Sequence, residues 1–216
     1  TCFALLFLRR ATFTSMGGDA KPADGEGVAN AAKPVRPSHE VRWIRRWLTL
    51  GPVADPGDTH FDTPPFALAP IAPTDDAETA GLRWETVTTR ERWMRLGDSK
   101  RPVEHSTRWA FTYLRAETAS DAVLWVGYDD GARVFLDGVS VLERHFHDGE
   151  DWDSHAAPVR IEAGVHRLLV QVENWGGVTA FALRIARPDG TPVPGLRPFL
   201  RPDGADLEAS VRAHPA

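Results

Sequence analysis

The sequence predicts an all-β fold, an antiparallel jelly-roll β-sandwich behind a disordered N-terminal tail. Two observations carry this expectation. About eight short strand-like runs follow one another with turn residues between them, the spacing of sandwiches and jelly rolls. Residues 121–143, DAVLWVGYDDGARVFLDGVSVLE, compress an apolar run, an Asp-Asp-Gly corner, an alternating strand and an Asp-Gly hairpin turn into one stretch.

The strands are expected in this order. Trp43, Ile44, Trp47, Leu48 and Leu50 are closely spaced, and WLTLGP reads as an edge strand that Gly51-Pro52 stops. Residues 53–82 are rich in Pro and Asp and read as a long loop wrapping the sandwich. RWETVTT, 83–89, is a strand. In RWAFTYLRAE, 108–117, Trp109, Phe111 and Tyr113 share one face and Ala110, Thr112 and Leu114 the other. DAVLWVGY, 121–128, is apolar on both faces, as a central strand is. ARVFLDG sets Val134 and Leu136 opposite Arg133 and Phe135, and Asp137-Gly138 suits a tight turn with positive φ. VSVLE returns along the hairpin.

A polar loop is expected over 144–157, and PVRIEAG follows it. VHRLLVQVEN, 165–174, puts Leu168, Val170 and Val172 on one face. TAFALRIARPDG, 179–190, turns Phe181, Leu183 and Ile185 inward. The sandwich is expected to occupy 41–200. Residues 1–40 read as a disordered tail, because 17–40 is Gly-, Ala-, Pro- and charge-rich without periodicity. TCFALLFLRR within it reads as a clipped signal remnant or as sequence upstream of a start at Met16. Residues 201–216 read as a weakly helical tail that could open another module.

Composition excludes several classes. The net charge is −5, and the most basic stretch, RWIRRW at 42–47, is too short for a nucleic-acid footprint. No apolar run approaches the roughly 20 residues that span a bilayer. The single cysteine, Cys2, allows neither an intramolecular disulfide nor a cysteine-based zinc site. Independent catalysis is not expected: there is no G-x-S-x-G, no phosphate-cradling loop, no Cys–His nucleophile, and no recognisable pair of glycosidase carboxylates.

The WLTLGP opening, the YDDGARVFLDG corner and the VHRLLVQVENWGGVTAFALRIARPDG close together carry a resemblance. The run resembles the galactose-binding-like jelly roll of β-galactosidase-type glycosidases, and is similar to the protective-antigen-type β-sandwich. The resemblance covers about 150 residues, 41–197. It implies an accessory module of a large bacterial protein, lying beside glycosidases, peptidase-like domains or helical repeats. It also implies a secreted or cell-envelope location, with carbohydrate or the neighbouring domains as partners.

By the same resemblance, Asp129 and Asp130 are candidate calcium ligands, with Asn174 from a neighbouring loop. Calcium takes six to eight oxygens from carboxylates, amides and water. The competing reading of Asp-Asp-Gly is a turn, with an Asp side chain bonding the backbone.

Two further groups are candidates. Trp125, Phe135, Trp152 and Trp175 could offer a sugar a stacking face, since an indole pairs a broad apolar body with a polar tip. The loop 144–155 holds His145, His147, His155, Asp148, Glu150, Asp151 and Asp153, a solvated acidic loop or a divalent-metal cluster without a fixed motif. Three functions follow. The first is a non-catalytic carbohydrate-binding or accessory module. The second is a spacer or interaction domain with scattered, buried Trp residues. The third is a metal-dependent hydrolase whose loop ligands converge on Asp129 or Asp130.

Overall fold

A computed structural model describes residues 33–145 and 149–204. These residues form thirteen strands and no helix. In chain order they are β1 Arg46–Ala54, β2 Glu78–Thr79, β3 Leu82–Arg83, β4 Glu85–Thr88, β5 Met94–Arg95, β6 Ser106–Ala116 and β7 Ser120–Asp129. There follow β8 Gly131–Leu136, β9 Val139–Arg144, β10 Glu150–Ile161, β11 Gly164–Asn174, β12 Ala180–Ala186 and β13 Arg197–Phe199.

The larger sheet runs β4-β1-β6-β11-β8-β9, with β13 joined to β6; the smaller runs β10-β7-β12-β5. All pairings are antiparallel. The fold is therefore the antiparallel β-sandwich the alternation predicts. Inward residues of both sheets form one core: Trp47, Ala110, Leu114, Val134, Leu168 and Val170 meet Leu124, Val126, Tyr128, Phe181 and Leu183. Trp47 anchors it, edge-on to Phe181 at 5.0 Å, while its indole N–H donates to the Ile44 carbonyl.

The outer face of the larger sheet is also apolar. Leu48, Leu50, Trp109, Phe111, Tyr113, Phe135 and Leu169 lie beneath Phe66, Leu68 and Ile71 of the long Pro-rich loop. That loop wraps the sandwich as expected, and its apolar residues give it a reason to stay there: Phe66 sits 4.8 Å from Trp109.

Three expectations need correction. WLTLGP is not an edge strand: β1 lies between β4 and β6 and continues through Gly51-Pro52 to Ala54. A bulge between Leu50 and Val53 absorbs the breaker pair, and Gly51 at φ 109° fits where a side chain would crowd Arg108. The polar stretch 150–157 is strand, not loop, because β10 starts at Glu150 with a register shift against β7 between Glu150 and His155. The backbone of Asp151 and Trp152 closes so tightly over Gly127 that a Cβ there would meet it at 2.5 Å. Residues 35–40, expected as linker, are held: Val35 and Ser38 donate N–H bonds to the carbonyls of Pro188 and Gly190. Residues 1–32 and 205–216, expected as tails, lie outside the described residues.

Candidate functional site

Strand order sets where chemistry can sit. The chain leaves the smaller sheet at Asp129 and enters the larger at Gly131, so Asp129-Asp130 is a crossover corner. It makes the reverse crossing between Asn174 and Ala180. The two crossovers meet. Asp130 donates its N–H to the Glu173 carbonyl, and its carboxylate accepts the N–H groups of Trp175 at 2.6 Å and Gly176 at 3.3 Å. The turn reading of Asp-Asp-Gly is thus realised, but by a bond between corners rather than within one.

The corner also keeps the features of a cation site. Burial, then the facing Asp130 carboxylate, push Asp129 up to about 6. Gly149 lies so close over Asp129 that a Cβ would come within 2.6 Å of its carboxylate oxygen. Asn174 is 1 % exposed; its Nδ2 donates to the Val103 carbonyl, and its Oδ1 has no hydrogen-bond partner. Two adjacent carboxylates and a buried, unanswered amide oxygen next to the loop they hold are donors a calcium ion would use. Trp175 stands half-buried on the same loop, edge-on to His105 at 5.6 Å.

The other proposed stacking rings do not join it. Trp125 is 8 % exposed and packs with Val41, Val123 and Ala186 on the outside of the smaller sheet. Phe135 is buried on the outside of the larger sheet. The two face opposite sides of the sandwich, so neither offers a ligand platform and no shared concave face exists for them. Trp152 is capped by guanidinium groups, Arg36 at 4.9 Å and Arg92 at 4.4 Å from its ring, with Trp43 at its edge. The sequence marks these rings as large and apolar but not which loop covers them.

The expected loop cluster disperses as well. His155 stacks on Tyr128, with Nε2 3.0 Å from the phenol oxygen, while Arg144 Nε donates to its Nδ1. Asp151 accepts the N–H of Trp152. Asp153 is fully buried against Arg184. Among the described residues of this loop, His145, Asp151, Asp153 and His155 do not converge on Asp129 and Asp130. His147 and Asp148 lie outside the described residues, as does the side chain of Glu150.

His145 instead turns to the outer face of the larger sheet and meets two residues that the sequence reading passed over. Its Nε2 lies 3.0 Å from Asp58 Oδ2 and 3.5 Å from Glu173 Oε2. Burial first, then the charges of Asp58, Asp55 and Asp62, push Glu173 up to about 8. Asp55 differs: burial works to raise it, but N–H bonds from Thr59 and His60 and the Thr59 hydroxyl outweigh that and hold it low. A signal for Glu173 was available, since alternation puts it opposite Val170 and Val172. It reads as a solvent-facing residue only if the face is bare, and the 53–82 loop covers that face.

No protein-family model matches the chain, and neither does any curated protein. Among solved structures, the chain is similar to an anti-sigma factor domain-containing protein at 13 % identity and TM-score 0.41, covering 53 % of this chain and 43 % of that one. A second such protein, from Clostridium clariflavum, matches at 11 % identity and TM-score 0.43 over 72 % of this chain and 47 % of that one. A β-glucosidase from Kluyveromyces marxianus matches at 10 % identity and TM-score 0.40, over 54 % of this chain and 16 % of the enzyme. The chain thus spans less than half of each of these proteins, and the likeness is that of a general β-sandwich. Among the described residues no helix is long and apolar enough to cross a membrane.

Proposed function

We propose that this chain is a non-catalytic accessory module that binds carbohydrate through a calcium ion at the Asp129-Asp130 crossover. The observation that supports this most is the pairing of those two carboxylates at a corner bonded to the Trp175 N–H, one residue after Asn174, whose buried Oδ1 has no partner. Asp129, Asp130 and Asn174 would hold the ion. Three residues leave part of a shell of six to eight oxygens open, and vicinal sugar hydroxyls are suited to fill it. Trp175, beside Asn174 and followed by Gly176-Gly177, would lie against the apolar face of the sugar ring. The role of Trp125, Phe135 and Trp152 is then structural. Calcium sites that are completed by ligand fit a secreted or envelope setting, where the ion is abundant.

A second reading, a spacer or interaction domain without a sugar site, draws support from the burial of Trp125 and Phe135. A glycan array probed with and without calcium separates the two. Glycan binding that EDTA abolishes and Asp129→Asn prevents is expected; binding to no glycan in either condition would leave the spacer.

A further inference from the structure

The outer face of the larger sheet carries a second cluster, distinct from the calcium corner. Asp58 comes from the long loop, His145 follows the end of β9, and Glu173 is the penultimate residue of β11. One ligand atom from each lies within 4.8 Å of the other two. Ions such as zinc bind His nitrogen and carboxylate oxygen at about 2.0–2.2 Å. Ligand atoms of one such ion cannot lie more than about twice that apart, and the 3.0 Å and 3.5 Å separations at His145 Nε2 satisfy this limit.

Glu173 points to a ligand independently of that proximity. The residue is 3 % exposed, and neither carboxylate oxygen accepts a hydrogen bond of good geometry, His145 Nε2 standing off at 3.5 Å. Buried carboxylates are ordinarily paired or coordinate metals. Here the nearby basic group is the His145 imidazole, and the next neighbours are acids. The register leaves room above it, since Glu173 is flanked on one side by Gly131, which has no side chain.

The surroundings hold the other two ligands in place. His145 stacks on Phe61 at 4.3 Å with an interplanar angle of 11°, which fixes its ring and presents Nε2 to the carboxylates. Arg133 donates to the Phe61 carbonyl and lies over the Phe61 ring. Asp55 accepts the N–H groups of Thr59 and His60, tying the 55–60 turn whose Asp58 has φ 53°. Such outer contacts are what orient metal ligands. The adjoining cavity, lined by Asp58, Thr107, Glu173 and Trp175 among others, is ≈ 10 Å³. It has room for an ion or one water and none for an organic substrate.

We infer that Asp58, His145 and Glu173 form a structural site for a divalent transition metal of the zinc class, which pins the long loop to the sandwich. The imidazole favours zinc over calcium, a hard ion that takes oxygen ligands. The ion replaces the proton between His145 and Asp58 and supplies Glu173 with its missing counter-charge. The site takes no ligand from Asp129 or Asp130, although Asn174 and Trp175 border the same small cavity.

The test is titration of the chelator-stripped full chain with zinc chloride, followed by calorimetry and thermal unfolding. One equivalent of zinc is expected to bind and raise the melting temperature, with millimolar calcium unable to displace it. His145→Ala, Glu173→Gln and Asp58→Asn should each weaken zinc binding at least about tenfold, while Asp129→Asn leaves it intact. Cobalt in place of zinc should give visible absorption that His145→Ala removes. Asp58→Asn and His145→Ala alter partly exposed positions, and circular dichroism confirms their fold. No zinc binding, zinc binding unchanged in these folded variants, or loss of zinc binding in Asp129→Asn would each overturn the assignment. Loss of calcium binding alone touches only the carbohydrate reading.

Discussion

Asp153 and Glu173 are both carboxylates removed from solvent, on opposite outer faces of the sandwich, and the chain treats them differently. Asp153 is met by Arg184, whose Nε lies 3.0 Å from Oδ1 and whose Nη2 reaches Oδ2. The remaining guanidinium hydrogens go to the carbonyls of Pro37, Ser38 and Val41, and the group lies 4.5 Å from the Trp43 ring. All five donors are used. Glu173 accepts no well-formed hydrogen bond; His145 stands 3.5 Å away and the other neighbours are acids. Within one fold, a satisfied buried acid marks architecture: here it clamps residues 37–41 onto the smaller sheet. An unsatisfied one marks a place where something else binds.

The contrast breaks most visibly at Arg184. Arg184→Ala leaves the buried Asp153 with only the exposed Arg36, 3.5 Å away, and urea unfolding should show a loss of about 3–5 kcal/mol. Replacing both by apolar residues, Asp153→Leu with Arg184→Met, should recover much of that loss, since a buried pair is not intrinsically more stabilising than good packing. A loss under about 1 kcal/mol in Arg184→Ala would show the clamp to be ornamental.

Glu173 should respond with the opposite sign. Its folded-state pKa of about 8 lies above the usual carboxylate range, so the fold favours the neutral acid. The metal-free chain pays nothing for this below the unfolded pKa, near 4.5, and loses stability as pH rises towards 8. Glu173→Gln should therefore be neutral near pH 4 and stabilising at pH 8, by a few kcal/mol at roughly 1.4 per pH unit. Denaturation midpoints across pH 4–8, with EDTA present, check this; a destabilised variant at pH 8 would contradict it.

Smaller effects sharpen the picture at the crossover. Asp130→Ala strips the acceptor from the Trp175 and Gly176 N–H groups and should cost about 1–3 kcal/mol. Trp175→Ala should cost under about 1 kcal/mol in stability, because the ring is half-buried at a loop. It should nevertheless weaken glycan binding in the same calcium-containing assay.

Much of the sandwich was legible in the sequence, and the reason is local. Alternation in 108–117 separates Trp109, Phe111 and Tyr113 from Ala110 and Leu114, and the structure sends them to different clusters. Asp137 at φ 52° and Gly138 at φ 82° make the hairpin turn their types suggest. Alternation says which residues share a face, but not what lies over that face. Trp125 and Phe135 therefore read as platforms although chain segments cover both. For the same reason nothing in the alternation singles out Glu173, and its partner Asp58 lies 115 positions away in the chain. The Asp129-Asp130 corner was the exception, because its motif announces the crossover itself.

We propose above that the crossover of Asp129, Asp130 and Asn174 binds calcium for a carbohydrate. Isothermal titration of the EDTA-stripped, dialysed chain with calcium chloride addresses it directly, beside the Asp129→Asn and Asn174→Ala variants. One equivalent of calcium is expected to bind the wild type, and none either variant. Absence of binding to the wild type, or equal binding by all three, would contradict it.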